Sequence, residues 1–256
     1  MLAIQMGKLR ADELLASKGL CESRTKAKAV IMAGKVWIGT ERVDKPGRML
    51  STDADLRVEQ PPPYVGRGGF KLAAFLGRFE ISTENSDSLD LGSSTGGFTD
   101  CLLQSGARSV TCVDVGRGQL HGKLRKDGRV HVREGLNARH LESDDLPLLA
   151  YDLVTLDLSF ISLRKVLQRA WSFLRPGGKL IALVKPQFEA TKEEADAGRG
   201  IIRNPEIHDR VVQGISSFAE KELEGSLFIG CVESPLRGAE GNIEFLLGWE
   251  KGASEG

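Results

Sequence analysis

The stretch that most constrains how this chain folds is Ser88-Leu89-Asp90-Leu91-Gly92-Ser93-Ser94-Thr95-Gly96-Gly97-Phe98. A short apolar strand runs directly into a small, glycine-rich turn and then into a helix. Glycine lets the backbone turn sharply and approach a ligand closely, while the helix that follows offers unpaired amide donors. Junctions of this kind hold nucleotide-like cofactors in α/β proteins. A second strand, Ser109-Val110-Thr111-Cys112-Val113-Asp114, ends in an acid suited to accept both hydroxyls of a ribose.

The loop departs from the dinucleotide and P-loop forms. Gly92 and Gly96 are separated by Ser93, Ser94 and Thr95, no lysine follows the glycines, and Asp90 stands just before the turn. An acid at that entrance repels a phosphate and suits a cation, which points to S-adenosylmethionine as the cofactor. Asp90 is then expected near its methionine end, Gly92, Ser93 and Gly96 in the loop around it, and Asp114 on its ribose. Asn137 is a candidate for the adenine edge, although an asparagine also serves loops structurally.

Apolar strand patterns continue at residues 110–114, 151–157, 179–185, 227–233 and 242–249, with helical stretches between them. This alternation predicts an α/β fold: a Rossmann-like, doubly wound, mostly parallel sheet with helices on both faces. Upstream, residues 8–19 fit a short amphipathic helix with Leu9, Leu14 and Leu15 inward, closed by Gly19. Ser23 reads as the cap of a second helix with Ala27, Val30 and Ile31 inward, Arg24 and Lys28 outward, and Gly34 at its end. Short strands are expected at 35–38 and 55–59. Gln60-Pro61-Pro62-Pro63 should be an extended polyproline spacer, which divides the chain into a small domain at 1–60, a linker at 61–66 and a large domain at 67–256.

The net charge is zero, yet residues 1–71 hold 13 Lys or Arg against 8 Asp or Glu, and the remainder holds 22 against 27. A surplus of about five positive charges on the smaller part suggests a foot for an anionic polymer. The four cysteines form no C-x-x-C pair and have no histidines at metal spacing, so no metal is expected, and Cys101 and Cys112 fall in apolar patterns suited to a core. No apolar run reaches the roughly 18 residues of a membrane span. Lys8 and Arg10 interrupt the apolar start that a signal peptide would need, so a cytoplasmic protein is expected.

Ligands in doubly wound sheets bind at the carboxyl ends of the strands. Asp157 and Lys185 each end an apolar run there. Taken singly, the acid also fits a helix cap or an ion pair, and the lysine a surface amine. Arg67-Gly68-Gly69-Phe70-Lys71-Leu72, Val113-Asp114-Val115-Gly116, Asp157-Leu158-Ser159-Phe160-Ile161-Ser162, Val184-Lys185-Pro186-Gln187-Phe188-Glu189 and Gly241-Asn242-Ile243-Glu244-Phe245 occur in that order. Together with the loop from Asp90, they resemble FtsJ-type ribose methyltransferases. Arg10-Ala11-Asp12, Ser23-Arg24 and Ala33-Gly34-Lys35-Val36-Trp37-Ile38 are similar to the S4-type RNA-binding module. Over residues 8–248 the chain thus resembles the TlyA group of bacterial ribosomal RNA methyltransferases, also called haemolysin A proteins.

That resemblance implies 2′-O-methylation of a ribose, by family analogy in a cytidine, with Lys71, Asp157, Lys185 and Glu244 lining the reaction site. A ribose hydroxyl needs a base and in-line alignment with the methyl donor. Lys185 is the candidate base; burial and a second cation, Lys71, favour release of its proton, whereas Asp157 and Glu244 oppose it. Asp157 would hold the amine, and Glu244 would orient Lys71 or the ribose. Phe160 fits either stacking on the target base or the core. Arg10, Arg24, Lys28 and Arg67 are the candidate RNA contacts, the partner being ribosomal RNA or ribosomal subunits without an obligate protein partner. The charged stretch at 190–204 is expected to be a flexible loop that either closes over substrate or is plain surface.

Three rivals keep the same residues in view. One is a non-catalytic RNA-binding or ribosome-assembly factor, and another a membrane-active haemolysin. The third is a base methyltransferase, which would ordinarily carry an Asn-Pro-Pro or catalytic cysteine motif not found at a suitable place here.

Overall fold

The chain divides between Pro63 and Tyr64 into two units, and the computed structural model describes residues 7–60, 62–238 and 240–252. In the N-terminal unit, β1 (Lys8–Arg10) leads into α1 (Ala11–Ser17) and α2 (Arg24–Met32). Four short strands follow, β2 (Val36–Ile38), β3 (Glu41–Arg42), β4 (Met49–Ser51) and β5 (Leu56–Val58). Ser23 caps α2 by accepting the Lys26 amide at 3.2 Å, and the apolar faces of the two helices meet the strands through Leu14, Leu15, Ala27, Ile31, Val36, Leu50 and Leu56. The helix expected over 8–19 begins only at Ala11. Lys8–Arg10 instead pairs antiparallel with β4, Leu9 opposite Leu50, a long-range partner that helical periodicity cannot foresee. The polyproline spacer expected at 60–63 includes Pro61, which lies outside the described residues.

The larger unit opens with α3 (Gly68–Arg78) and β6 (Asp87–Leu91), followed by α4 (Gly97–Gln104) and β7 (Ser109–Asp114). A single-turn α5 (Gly122–Arg125) precedes β8 (Val130–Glu134), and β9 (Tyr151–Leu156) and α6 (Leu167–Ser172) come next. After β10 (Leu174–Val184), three helices, α7 (Pro186–Glu189), α8 (Lys192–Ala197) and α9 (Pro205–Glu222), lead to β11 (Ser226–Glu233) and β12 (Phe245–Lys251). The seven strands lie in the order β11-β12-β10-β9-β6-β7-β8. Pairing is parallel from β10 to β8, and β12 runs antiparallel to both β10 and β11.

Strict alternation along the central strands explains the layering. Leu180, Ala182 and Val184 pack with α6 and α9 on one face, while Ile181 and Leu183 pack with α3 and α4 on the other. A strand apolar on both faces must be covered on both. Cys101 and Cys112 belong to the second of these cores, and burial pushes their thiols up to about 11 and about 12. The edge strand β8 is half-buried throughout and reads Val-His-Val-Arg-Glu, so it carries little of the apolar signal that marks its neighbours.

The stretch at 190–204 is more ordered than a flexible loop. Thr191 and Glu194 form a reciprocal capping box at the start of α8, and Glu194 also pairs with Arg210 of α9. Beyond α8, buried Asn242 donates to the Gly200 carbonyl at 2.8 Å and accepts the Ile202 amide at 2.9 Å. This segment is therefore tied to the turn that precedes β12.

Candidate active site

The sheet order reverses beside β6, whose neighbours are β7 on one side and β9 on the other. A crevice opens at such a switch point, outside the carboxyl ends of the strands. Gly92 follows β6, Asp114 ends β7, Asp157 follows β9 and Lys185 follows β10. Glu244 arrives at the same edge from the opposite direction, because β12 is antiparallel and its first residue, Phe245, pairs with Val184 at the end of β10. Lys71 comes from the first turn of α3.

A cavity of ≈ 490 Å³ is lined by Lys71, Asp157, Lys185 and Glu244 together. Lys71 Nζ pairs with Glu244 Oε2, both side chains almost wholly shielded from solvent. Lys185 Nζ lies 2.6 Å from Asp157 Oδ1 and donates to Ser159 Oγ at 2.9 Å. Amines this far from water need a counter-charge, and each has one carboxylate. The turn bearing Glu244 is closed by backbone bonds from the Ser234 amide to the Glu244 carbonyl and from the Gly238 amide to the Asn242 carbonyl, both 2.8 Å. A Cβ at Gly238 would stand 2.5 Å from Glu244 Oε1, so glycine there lets the turn lie flush on the carboxylate.

A second cavity of ≈ 430 Å³ shares Gly92, Ser94 and Asp157 with the first. Its walls include Val115, Leu136, Leu158 and Ile161, and its polar lining includes Asp114 and Asn137. Asp114 shapes the loop directly: Oδ2 accepts the Ser94 amide and Oδ1 the Gly116 amide, each at 2.7 Å. Gly92 has φ +87°, and a Cβ on it would stand 2.5 Å from the Asp157 carbonyl oxygen. Gly96 has φ +95° and equally little room beside Leu124. Asn137 lines this cavity and also caps a short 3-10 turn by accepting the Arg139 amide at 3.0 Å. Ser93 is buried and lines the first cavity.

Asp90, expected near the methionine end of the cofactor, stands near the end of β6. Its carboxylate is fully buried beneath the loop, where Oδ2 accepts Thr99 Oγ1 at 2.7 Å and Oδ1 accepts Thr155 Oγ1 at 2.9 Å. It lines neither cavity and instead ties β6 to α4 and β9. Strand alternation turns it inward, and burial pushes its carboxyl up to about 6.

Phe160 is 91% exposed on the rim of the second cavity, with φ +64° and its ring 5.2 Å from that of Phe188. The core reading is thereby removed. Arg67 lines the first cavity and donates from Nη2 to the Arg237 carbonyl at 2.6 Å. In the N-terminal unit, Arg10 and Arg24 both bind the buried carboxylate of Asp12, at 3.1 and 3.4 Å, and Arg24 also pairs with Glu13 at 3.0 Å. Burial opposes ionisation of Asp12, but the hydrogen bonds from the two arginines outweigh it and hold the carboxyl below its usual range. These arginines are thus partly neutralised, while Lys28 is exposed and outside every ion pair among the described residues.

Sequence reading missed Ser159, Asn242 and Arg237. Ser159 sits inside a motif that was already in view, whereas nothing local marks Arg237, whose position depends on the turn before β12. Among the described residues no group of three or more His, Cys, Asp or Glu side chains is placed to hold a metal.

Residues 64–251 match the FtsJ-like methyltransferase family and residues 9–56 the S4 domain. A Bacillus subtilis protein named as a candidate rRNA methyltransferase, YqxC, is 46% identical, covering 94% of this chain and 85% of its own length. The 16S/23S rRNA (cytidine-2′-O)-methyltransferase TlyA of Mycobacterium tuberculosis is 40% identical over 93% of this chain and 88% of its own. A solved structure from Streptococcus thermophilus, described as a candidate hemolysin, is 43% identical with a TM-score of 0.71, covering 96% of this chain and 90% of that one. With the sheet order, the glycine loop and the paired lysines and acids at the switch point, these likenesses place the chain in the FtsJ-like methyltransferase family, within the TlyA (haemolysin A) group that joins such a domain to an N-terminal S4 domain.

Proposed function

We propose that this protein transfers the methyl group of S-adenosylmethionine to the 2′-hydroxyl of a cytidine ribose in ribosomal RNA. The observation that carries this reading is the meeting of two cavities: one holds Lys71, Asp157, Lys185 and Glu244, the other Asp114 and Asn137, and Gly92, Ser94 and Asp157 border both. The residues of the second cavity suit the cofactor. Asp114 is an acceptor for ribose hydroxyls, Val115, Leu136, Leu158 and Ile161 offer apolar walls for an adenine, and Asn137 offers both donor and acceptor. When bound, the cofactor supplies an electrophilic methyl on a sulfonium.

The chain's own residues do the rest. An ammonium has three donors, and Asp157 and Ser159 take two of those on Lys185. The third position is where Lys185, once deprotonated, accepts the proton of the ribose hydroxyl. Asp157 and Ser159 fix the direction of that lone pair, and Glu244 holds Lys71 in place on the wall of the same cavity. Phe160, exposed at the rim, offers a face for the target base.

The S4 domain supports an RNA substrate, and the name of the Mycobacterium tuberculosis relative supports ribosomal RNA and cytidine. A cytoplasmic site of action follows from that substrate. The haemolysin reading draws only on the names of relatives; no helix among the described residues is long and apolar enough to cross a membrane. Incubation with methyl-labelled S-adenosylmethionine and ribosomal subunits, followed by mapping of the labelled nucleotide, tests the proposal. Label on a ribose 2′-oxygen supports it, label on a base replaces it with base methylation, and no label in RNA removes it.

A further inference from the structure

The four ionisable side chains of the catalytic cavity form two closed pairs, so the interior of the site carries no net charge. Its lining contains two further cations, Arg67 and Arg237. Neither takes part in an ion pair among the described residues. Arg67 donates to the Arg237 carbonyl at 2.6 Å, and Arg237 donates from Nη1 to the Gly241 carbonyl at 3.2 Å. Carbonyl contacts orient a guanidinium without neutralising it, and each group keeps free donors in a planar fork.

Two more features of the same wall favour an anion. Helix α3 starts immediately after Arg67 with no side-chain cap and no acid in its first turn, and Gly66 and Gly68 line the cavity there. Its eleven residues carry a positive end toward that first turn. Arg237 also stands at the start of a closed turn, in which the Gly238 amide donates to the Asn242 carbonyl at 2.8 Å and the Gly241 amide to the Gly238 carbonyl at 3.0 Å.

Resting on the ribose-methylation reading above, we propose that Arg67 and Arg237 form a clamp for the RNA phosphodiester adjoining the target ribose. The 2′-oxygen of a ribose lies on the carbon next to the one that bears the 3′-phosphate. Gripping that phosphate therefore fixes the hydroxyl relative to Lys185, and arginine forks suit phosphate oxygens bidentately. The competing source of a single anion is the carboxylate of the cofactor's amino-acid tail.

The experiment separates these sources without requiring turnover. The full-length protein and its Arg67→Ala, Arg237→Ala and Arg237→Lys variants are titrated with a fluorescein-labelled oligocytidylate across a salt series, and with S-adenosylmethionine by calorimetry. Each alanine variant is expected to weaken RNA binding by about tenfold at low salt and to make the plot of log affinity against log salt shallower by about 0.7. Arg237→Lys should restore the slope, since it keeps the charge. Slopes identical to that of the unaltered protein would overturn the clamp, as would a loss confined to cofactor affinity, which would assign the arginines to the cofactor carboxylate. Failure of the unaltered protein to methylate RNA removes the functional reading separately, because the salt slopes judge the clamp by binding alone.

Discussion

Lys185 Nζ stands 2.6 Å from Asp157 Oδ1, although the two residues leave the sheet from different strands. Parallel pairing of β9 with β10, Leu156 opposite Ala182, brings both strand ends to one edge. An acid and an amine that are merely terminal in the sequence thereby become partners over a cavity.

Replacing Lys185 by alanine should reduce methyl transfer by about 10²- to 10⁴-fold, the range for loss of a general base. The cavity proposed for the cofactor does not include Lys185, so S-adenosylmethionine affinity should stay within about twofold on the scale of a lost neutral contact. Label incorporation into rRNA and calorimetric titration of the cofactor measure the two quantities. Undiminished turnover would rule out Lys185 as the base.

Asp90 and Asp87 make opposite contributions to acid stability. Burial, outweighing the hydrogen bonds from Thr99 and Thr155, raises Asp90 to about 6, while the Arg108 hydrogen bond foremost lowers Asp87 to about 2. A carboxyl raised on folding binds its proton more tightly in the folded state, so ionised Asp90 costs on the order of 3 kcal/mol at neutral pH, and this cost fades as pH falls through 6 toward 4. Asp87 stabilises above its unfolded value of about 4 and loses that contribution as pH falls through 2. Asp90→Asn should therefore raise the melting temperature by about 5 °C at pH 7.5, and this gain should shrink by more than half at pH 4.5. Thermal melts at the two pH values decide it; a gain that does not change with pH would show that Asp90 is not the titrating group.

Gly92→Ala should be severe. Left-handed φ costs a non-glycine residue about 1–2 kcal/mol, and the new Cβ would stand 2.5 Å from a backbone oxygen of Asp157. Gly118→Ala is the matched control, because Gly118 also has positive φ but nothing lies within 4 Å of its Cβ position. The melting temperature should fall about 5–10 °C for Gly92→Ala and at most about half of that for Gly118→Ala, and methyl transfer should be lost only in the former. Equal effects would mean that backbone strain alone, and not the packing of the loop on Asp157, matters at Gly92.

In the N-terminal unit, substituting Arg24 and Lys28 together by alanine should weaken RNA binding and make its salt dependence shallower by about 0.7–0.9 per lost phosphate contact. Lys28 should account for the larger share, because Arg24 already serves Asp12 and Glu13. Binding isotherms of the single and double variants over a salt series provide the comparison, and an unchanged slope would exclude this surface from the RNA interface.

Much of the larger unit was legible because its signals are local. Short apolar runs marked β6, β7, β9 and β10, and the small residues from Gly92 to Gly97 marked a turn that only glycines can make at two of its positions. What stayed hidden depended on distant partners. Lys8–Arg10 became a strand because Met49–Ser51 lies beside it, the stretch at 190–204 gained order from Arg210 and Asn242, and half-buried β8 carries a diluted pattern at the sheet edge.

The same division holds at the site. By itself the sequence determined which chemistry-bearing residues end strands and which glycines bend the loop, because pleat alternation and backbone sterics act over a few neighbouring residues. Only the tertiary structure decided that Lys71 takes Glu244 and Lys185 takes Asp157, that Asp90 turns inward to two threonines, and that the Arg237 carbonyl accepts a hydrogen bond from Arg67. Charges are paired by proximity in space, and that proximity is set by strand order and register across the whole sheet.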